Sequence, residues 1–103
     1  MVRRPQPDVF KLLADVPADK RFWCQDGCAF SNIKELEVAL PAMGLEAWQH
    51  HTAQGRNDFS NWVRDVIGDD KLAADLQRSS TPQAAARTIG ARLVQLQKSR
   101  RVA

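Results

Sequence analysis

The sequence predicts an all-α fold, a compact single-domain bundle of five or six short helices. Three observations carry that expectation. Apolar residues recur at helical spacing through most of the chain. β-branched residues are sparse, and no apolar–polar alternation of strand length is sustained. Four helix-starting residues, Asp8, Asn32, Asp58 and Thr81, each precede an apolar stripe. A chain of 103 residues has room for one core, and its 44% hydrophobic and 26% charged fractions suit a globular domain. At this size about 65% of the unfolded surface can be buried, so folding requires neither a metal nor a disulfide.

The elements follow in order. Residues 1–7 read as a flexible arm punctuated by Pro5 and Pro7. Asp8 caps a short helix holding Val9, Phe10, Leu12 and Leu13, and Pro17 stops it. Residues 17–31 are the least helical part: Asp26-Gly27 signals a turn, and Arg21-Phe22-Trp23-Cys24 reads as a short extended piece. Asn32 and Glu35 form a capping box that opens a helix with Ile33, Leu36 and Leu40 on one face. Pro41 and Gly44 end or kink that helix, and a shorter one carries Leu45, Trp48 and the pair His50-His51.

Gln54–Asn57 is a loop, after which Asp58 caps the strongest amphipathic segment: Phe59, Trp62, Val63, Val66 and Ile67. Trp62 is expected deep in the core, packed with Phe59, Val66, Leu36, Leu40 and Leu93. Gly68 terminates the segment, and Asp69 or Asp70 restarts the chain into Leu72, Ala73 and Leu76. Thr81 caps the last helix with Pro82 at its first position, and Ala85, Ala86, Ile89, Leu93 and Leu96 line its inner face. The domain is therefore placed at 8–97, with 98–103 as a basic, frayed tail.

The net charge of +3 is modest, and its placement is uneven. Residues 23–52 hold Lys34 against Asp26, Glu35, Glu37 and Glu46. Residues 79–103 hold Arg87, Arg92, Lys98, Arg100 and Arg101 with no acid. A nucleic-acid binder concentrates cations on a folded face, whereas these collect near the termini, so nucleic acid is not expected as a partner. No apolar run approaches the roughly 18 residues of a membrane span, and no apolar stretch follows Arg3-Arg4 as in a secretory signal. A soluble, cytoplasmic protein is expected, without membrane contact.

From His51 to Leu76 the skeleton is a histidine and a polar loop, then Asn57-Asp58-Phe59-Ser60, Trp62-Val63, Asp65-Val66-Ile67-Gly68-Asp69 and Leu72-Ala73. Upstream stand Phe22 through Gly27, Phe30, Ile33, Glu35-Leu36, Leu40, Met43 and His50. Over residues 20–78 this resembles a family of small prokaryotic helical domains of unknown function, DUF5752. The resemblance implies a small helical domain, alone or attached to others, with no assigned chemistry. Cys24 and Cys28 are not part of that family's pattern.

Several constellations compete with a purely structural role. Cys24 and Cys28 with His50 and His51 offer thiolate and imidazole ligands for a zinc-type site, although Cys-x3-Cys is an unusual spacing and adjacent histidines diverge on a helix. The same cysteines read alternatively as reduced, packed thiols or as a redox pair. His50 or His51 beside Asp58 suggests a general base, but no nucleophile elbow, phosphate loop or HExxH accompanies it. A histidine that fastens the loop to the next helix is the simpler reading. Trp23, Trp48 and Trp62 suggest an aromatic box or, more simply, core residues, with Trp23 the most exposed. Asp65, Asp69, Asp70 and Asp75 lack calcium-loop spacing and read as caps. Residues 58–67 and 70–78 mimic a helix-turn-helix, but their exposed faces are acidic.

The reading that results is a non-catalytic binding or interaction module with a protein partner or self-association, no catalytic residues and no cofactor. Its rival is a small metal-binding or enzymatic domain using Cys24, Cys28 and His50 or His51.

Overall fold

The structure is a computed structural model that describes residues 9–102, with side chains through Ser99. The expected 1–7 arm and the Asp8 cap lie outside the described residues. Helix α1 (Val9–Leu13) leads through a 3-10 turn (Ala18–Lys20) into two short strands, β1 (Phe22–Trp23) and β2 (Ala29–Phe30). Helices α2 (Ile33–Ala42) and α3 (Leu45–Thr52) follow, then a second 3-10 turn (Ala53–Gly55). Helix α4 (Asp58–Trp62) runs into a π turn (Val63–Ile67), and α5 (Asp70–Gln77) and α6 (Pro82–Val102) complete the chain. Six α-helices and one two-stranded hairpin among the described residues make the fold mainly α, as the sequence predicts. The Cα radius of gyration, 13.6 Å, is that of a compact chain of this length. Among the described residues no helix is long and apolar enough to cross a membrane.

The strands pair antiparallel, Phe22 opposite Phe30 and Trp23 opposite Ala29. Asp26-Gly27 makes the expected turn. The Gly27 N–H donates to the Cys24 carbonyl (2.9 Å), and Gly27 adopts φ +94°, open to glycine at little cost. The Cys24 N–H then donates to the Cys28 carbonyl (2.8 Å) and closes a three-residue loop.

The capping box of α2 forms with one shift. Asn32 Oδ1 accepts from the Glu35 N–H (2.8 Å), while Glu35 Oε1 accepts from the Ser31 N–H (2.6 Å), one residue before the cap. Ile33, Leu36 and Leu40 are fully buried. Pro41 is tolerated because it lies in the last turn, and the helix ends at Ala42. The most extensive helix contact is α2 against α6, whose Ala85, Ala86, Ile89, Leu93 and Leu96 are buried as predicted. Gly90 lies in this contact, and a Cβ there would stand 2.7 Å from Glu37 Oε2. Its missing side chain thus lets that carboxylate rest on the α6 backbone. Thr81 Oγ1 accepts from the Ala84 N–H (3.1 Å), the cap that the sequence places there. Helix α6 continues through Val102, across the stretch expected to fray.

Two expectations about α4 are corrected. Its cap is Asn57, not Asp58: Asn57 Oδ1 accepts from the Ser60 N–H (3.0 Å). The reason is burial. Asn57 Nδ2 also donates to the Leu76 carbonyl (3.1 Å), which a carboxylate would repel, so only an amide satisfies both sides of this joint. Ser60 Oγ donates to the Ala73 carbonyl (2.7 Å), a second bond from α4 to α5. The amphipathic stripe is also interrupted. The Gly68 N–H donates to the Val63 carbonyl (2.8 Å), a five-residue span that turns the helix out of phase. Val63 and Ile67 stay buried, whereas Val66 is only half-buried.

Candidate functional site

His51 lies at the meeting of the hairpin, α3 and α4, and is buried. Its ring is held edge-on against Phe22 (centroids 5.1 Å apart) and Phe59 (5.4 Å). The Gln25 N–H of the hairpin loop donates to its Nε2 (3.0 Å). Nε2 is therefore the unprotonated nitrogen, and Nδ1–H donates to Asp58 Oδ2 (2.9 Å). Asp58 also meets Arg56 Nε at 3.3 Å, and the Arg56 guanidinium bonds the His50 carbonyl. The α3–α4 loop thus returns the chain to its own start, and the histidine ties three elements together. This is the fastening role. With Nε2 turned to a backbone N–H and Nδ1 to a carboxylate, neither nitrogen is directed at an open site. His50 stands perpendicular to His51 and is exposed.

The four proposed metal ligands are not brought together. Among the described residues no three metal-ligating side chains gather. Cys24 is buried, Cys28 is exposed and both are free. Burial is the main force holding the Cys24 thiol above its ordinary pKa, with the Asp26 charge adding to it. The Asp26 charge does the same, first of all, to Cys28. Asp26 itself is held below the usual carboxylate range, chiefly by the Cys28 N–H, which donates to its Oδ1 at 3.0 Å. A raised pKa leaves less of the thiolate, the form that binds a metal, at neutral pH.

Sequence reasoning missed the most buried charge. Asp69 is wholly buried, and its carboxylate takes both Arg92 Nε (2.8 Å) and a terminal guanidinium nitrogen (3.1 Å). It also caps α5 by accepting from the Leu72 N–H (3.1 Å). Arg92 reaches on to Gln95 Oε1 (3.2 Å). The π turn and Gly68, at φ +90°, swing Asp69 toward α6. A signal existed: Arg92 occupies the position between Ile89 and Leu96 at helical spacing, the edge of an otherwise apolar face.

The remaining candidates resolve into packing and surface pairs. Trp48 stacks on Phe59 (5.4 Å), and Trp62 meets Phe22 edge-on (6.0 Å) while its Nε1–H donates to the Lys20 carbonyl (2.9 Å). Trp23 is 65% exposed, so the three tryptophans form no common box. Asp65 pairs with Arg64, and Asp75 with Lys71 and Arg78. Two open grooves border α6. One, of about 430 Å³ beside α5, includes Lys71, Asp75, Arg78 and Thr88. The other, of about 480 Å³ beside α2, is lined by Glu37, Val38, Pro41, Ala86, Arg87, Gly90 and Ala91.

No family model matches this chain, and no curated protein or solved structure shows detectable similarity to it.

Proposed function

We propose that this chain is a non-catalytic interaction module, and that its partner is a second copy of itself docked through the outer face of α2 and α6. The observation that carries the reading is the groove between these helices. Val38 in its lining is 65% exposed, and the small residues Gly90 and Ala91 on α6 allow a close approach. Its charged lining residues have opposite signs: Glu37 on α2, which also meets Lys34 of its own helix at 2.8 Å, and Arg87 on α6. A two-fold axis would set Glu37 of one copy against Arg87 of the other, a self-complementary contact. Light scattering across a concentration series should give a concentration-dependent dimer. Arg87→Glu should abolish it, and Arg87→Glu with Glu37→Arg should restore it. A monomer at every concentration would overturn self-association.

The rival reading, a metal-binding or enzymatic domain built on Cys24, Cys28 and His50 or His51, draws its support from composition alone. Stoichiometric transition metal in untagged protein would favour it. The DUF5752 resemblance over 20–78 remains part of the same proposal, without support from any family match.

A further inference from the structure

We propose that Cys24 and Cys28 are a thiol–disulfide exchange site, in which a small-molecule disulfide closes an intramolecular disulfide across the neck of the hairpin loop. Three observations converge on it. The strand register, Phe22 with Phe30 and Trp23 with Ala29, places Cys24 directly opposite Cys28, and the Cys24 N–H donates to the Cys28 carbonyl. Directly opposed antiparallel residues have Cα atoms about 4.5–5.5 Å apart. Disulfides span Cα separations of about 4.4–6.8 Å, so the neck needs little backbone movement. The loop between them is also a tight turn, with the Gly27 N–H on the Cys24 carbonyl and the Cys28 N–H on Asp26 Oδ1, which holds the two cysteines at its neck. Finally, the pair is asymmetric: Cys28 is exposed to an incoming reagent, whereas Cys24 is buried beside it.

The chemistry balances with a disulfide RSSR as oxidant. Cys28 loses its proton to solvent, and its thiolate attacks one sulfur of RSSR. A Cys28–SR bond forms as the S–S bond breaks and releases RS⁻. Cys24 then loses its proton, and its sulfur attacks the Cys28 sulfur and expels the second RS⁻. Both RS⁻ groups take up protons, so two protein thiols and one RSSR become one protein disulfide and two RSH. The Asp26 charge opposes each deprotonation and acts as a brake. The closed ring would hold the loop whose Gln25 N–H caps His51, and with it the neighbouring, exposed Trp23 edge.

The test uses the full reduced chain with oxidised glutathione as the probe, followed by mass spectrometry and thiol mapping. The expected product is a monomer lighter by two hydrogens, reversed by dithiothreitol and absent in Cys28→Ser. Asp26→Asn, which keeps an acceptor for the Cys28 N–H, should accelerate closure at neutral pH by roughly three- to tenfold, as removing a neighbouring negative charge frees thiolate. A stable glutathione adduct on Cys28 with Cys24 still free would overturn the proposal. So would an unchanged chain at mildly alkaline pH, or closure no faster in Asp26→Asn.

Discussion

His51 and Asp58 are seven residues apart in the chain, Asp69 and Arg92 twenty-three. Both pairs join a carboxylate to a nitrogen base across helices, but their surroundings differ. The Asp58 side chain is 31% exposed and shares its charge with Arg56, while His51 satisfies its second nitrogen with a backbone N–H. The Asp69 side chain is 1% exposed, and its oxygens are filled by Arg92 and the Leu72 N–H. Water can replace a lost partner at the first joint. At the second, the survivor is left as a bare charge in the interior, which costs several kcal/mol. Depth of burial, rather than the number of bonds, therefore separates a joint that positions a loop from one on which the α5–α6 packing depends.

Arg92→Met should break the deeper joint and destabilise the domain by about 3–5 kcal/mol in urea unfolding, because Asp69 stays buried and unpaired. Asp69→Asn combined with Arg92→Met should cost clearly less than the two single changes added together. If Arg92→Met costs under about 1 kcal/mol, the contrast between the joints disappears. Asn57→Ala, which deletes the α4 cap and orphans the buried Leu76 carbonyl, should cost about 2 kcal/mol by the same measurement. Asp58→Ala should cost only about 1–2 kcal/mol, since solvent can reach the freed His51 N–H. A loss equal to that of Arg92→Met would mean that the His51 joint is as dry as the other.

Glu37 offers a third carboxylate, resting on α6 where Gly90 has no side chain. Gly90→Ala brings the better helix former but displaces a flexible, solvent-reaching carboxylate. Stability should move by less than about 1 kcal/mol in either direction. The smallest effect concerns pH. The Cys24 thiol is held above its ordinary pKa, mainly by burial. Its contribution is fully present below the unfolded thiol value of about 8.5 and fades as pH climbs through the folded value. Urea midpoints should therefore decline on the alkaline side, and Cys24→Ala should flatten that decline.

Much of this architecture was legible because it is local. Asn32 with Glu35 and Thr81 before Pro82 act within one helical turn, where a side chain reaches only its own backbone. Asp26-Gly27 closes its turn for the same reason. The α4 cap was misplaced by one residue because the choice between Asn57 and Asp58 depends on Leu76, nineteen residues away. Val66 was expected fully inside but is half-buried against the core, because the π turn that shifts its phase ends at Gly68 and delivers Asp69 to α6, a long-range demand on a local pattern.

The candidate site divides along the same line. His51 near Asp58 could be anticipated because a short polar loop returns the chain close to its start, and residues seven apart have little freedom to separate. That Gln25, twenty-six residues earlier, would fill the other ring nitrogen could not be anticipated from spacing. By itself, the sequence determined the helices, their caps and the apolar faces, since these follow from contacts within a turn or two. Only the tertiary structure decided which polar groups became dry, which cysteine turned inward and which nitrogen of His51 kept the proton. Those outcomes depend on removing water from groups far apart in the chain, and no residue carries that information until its neighbours are in place.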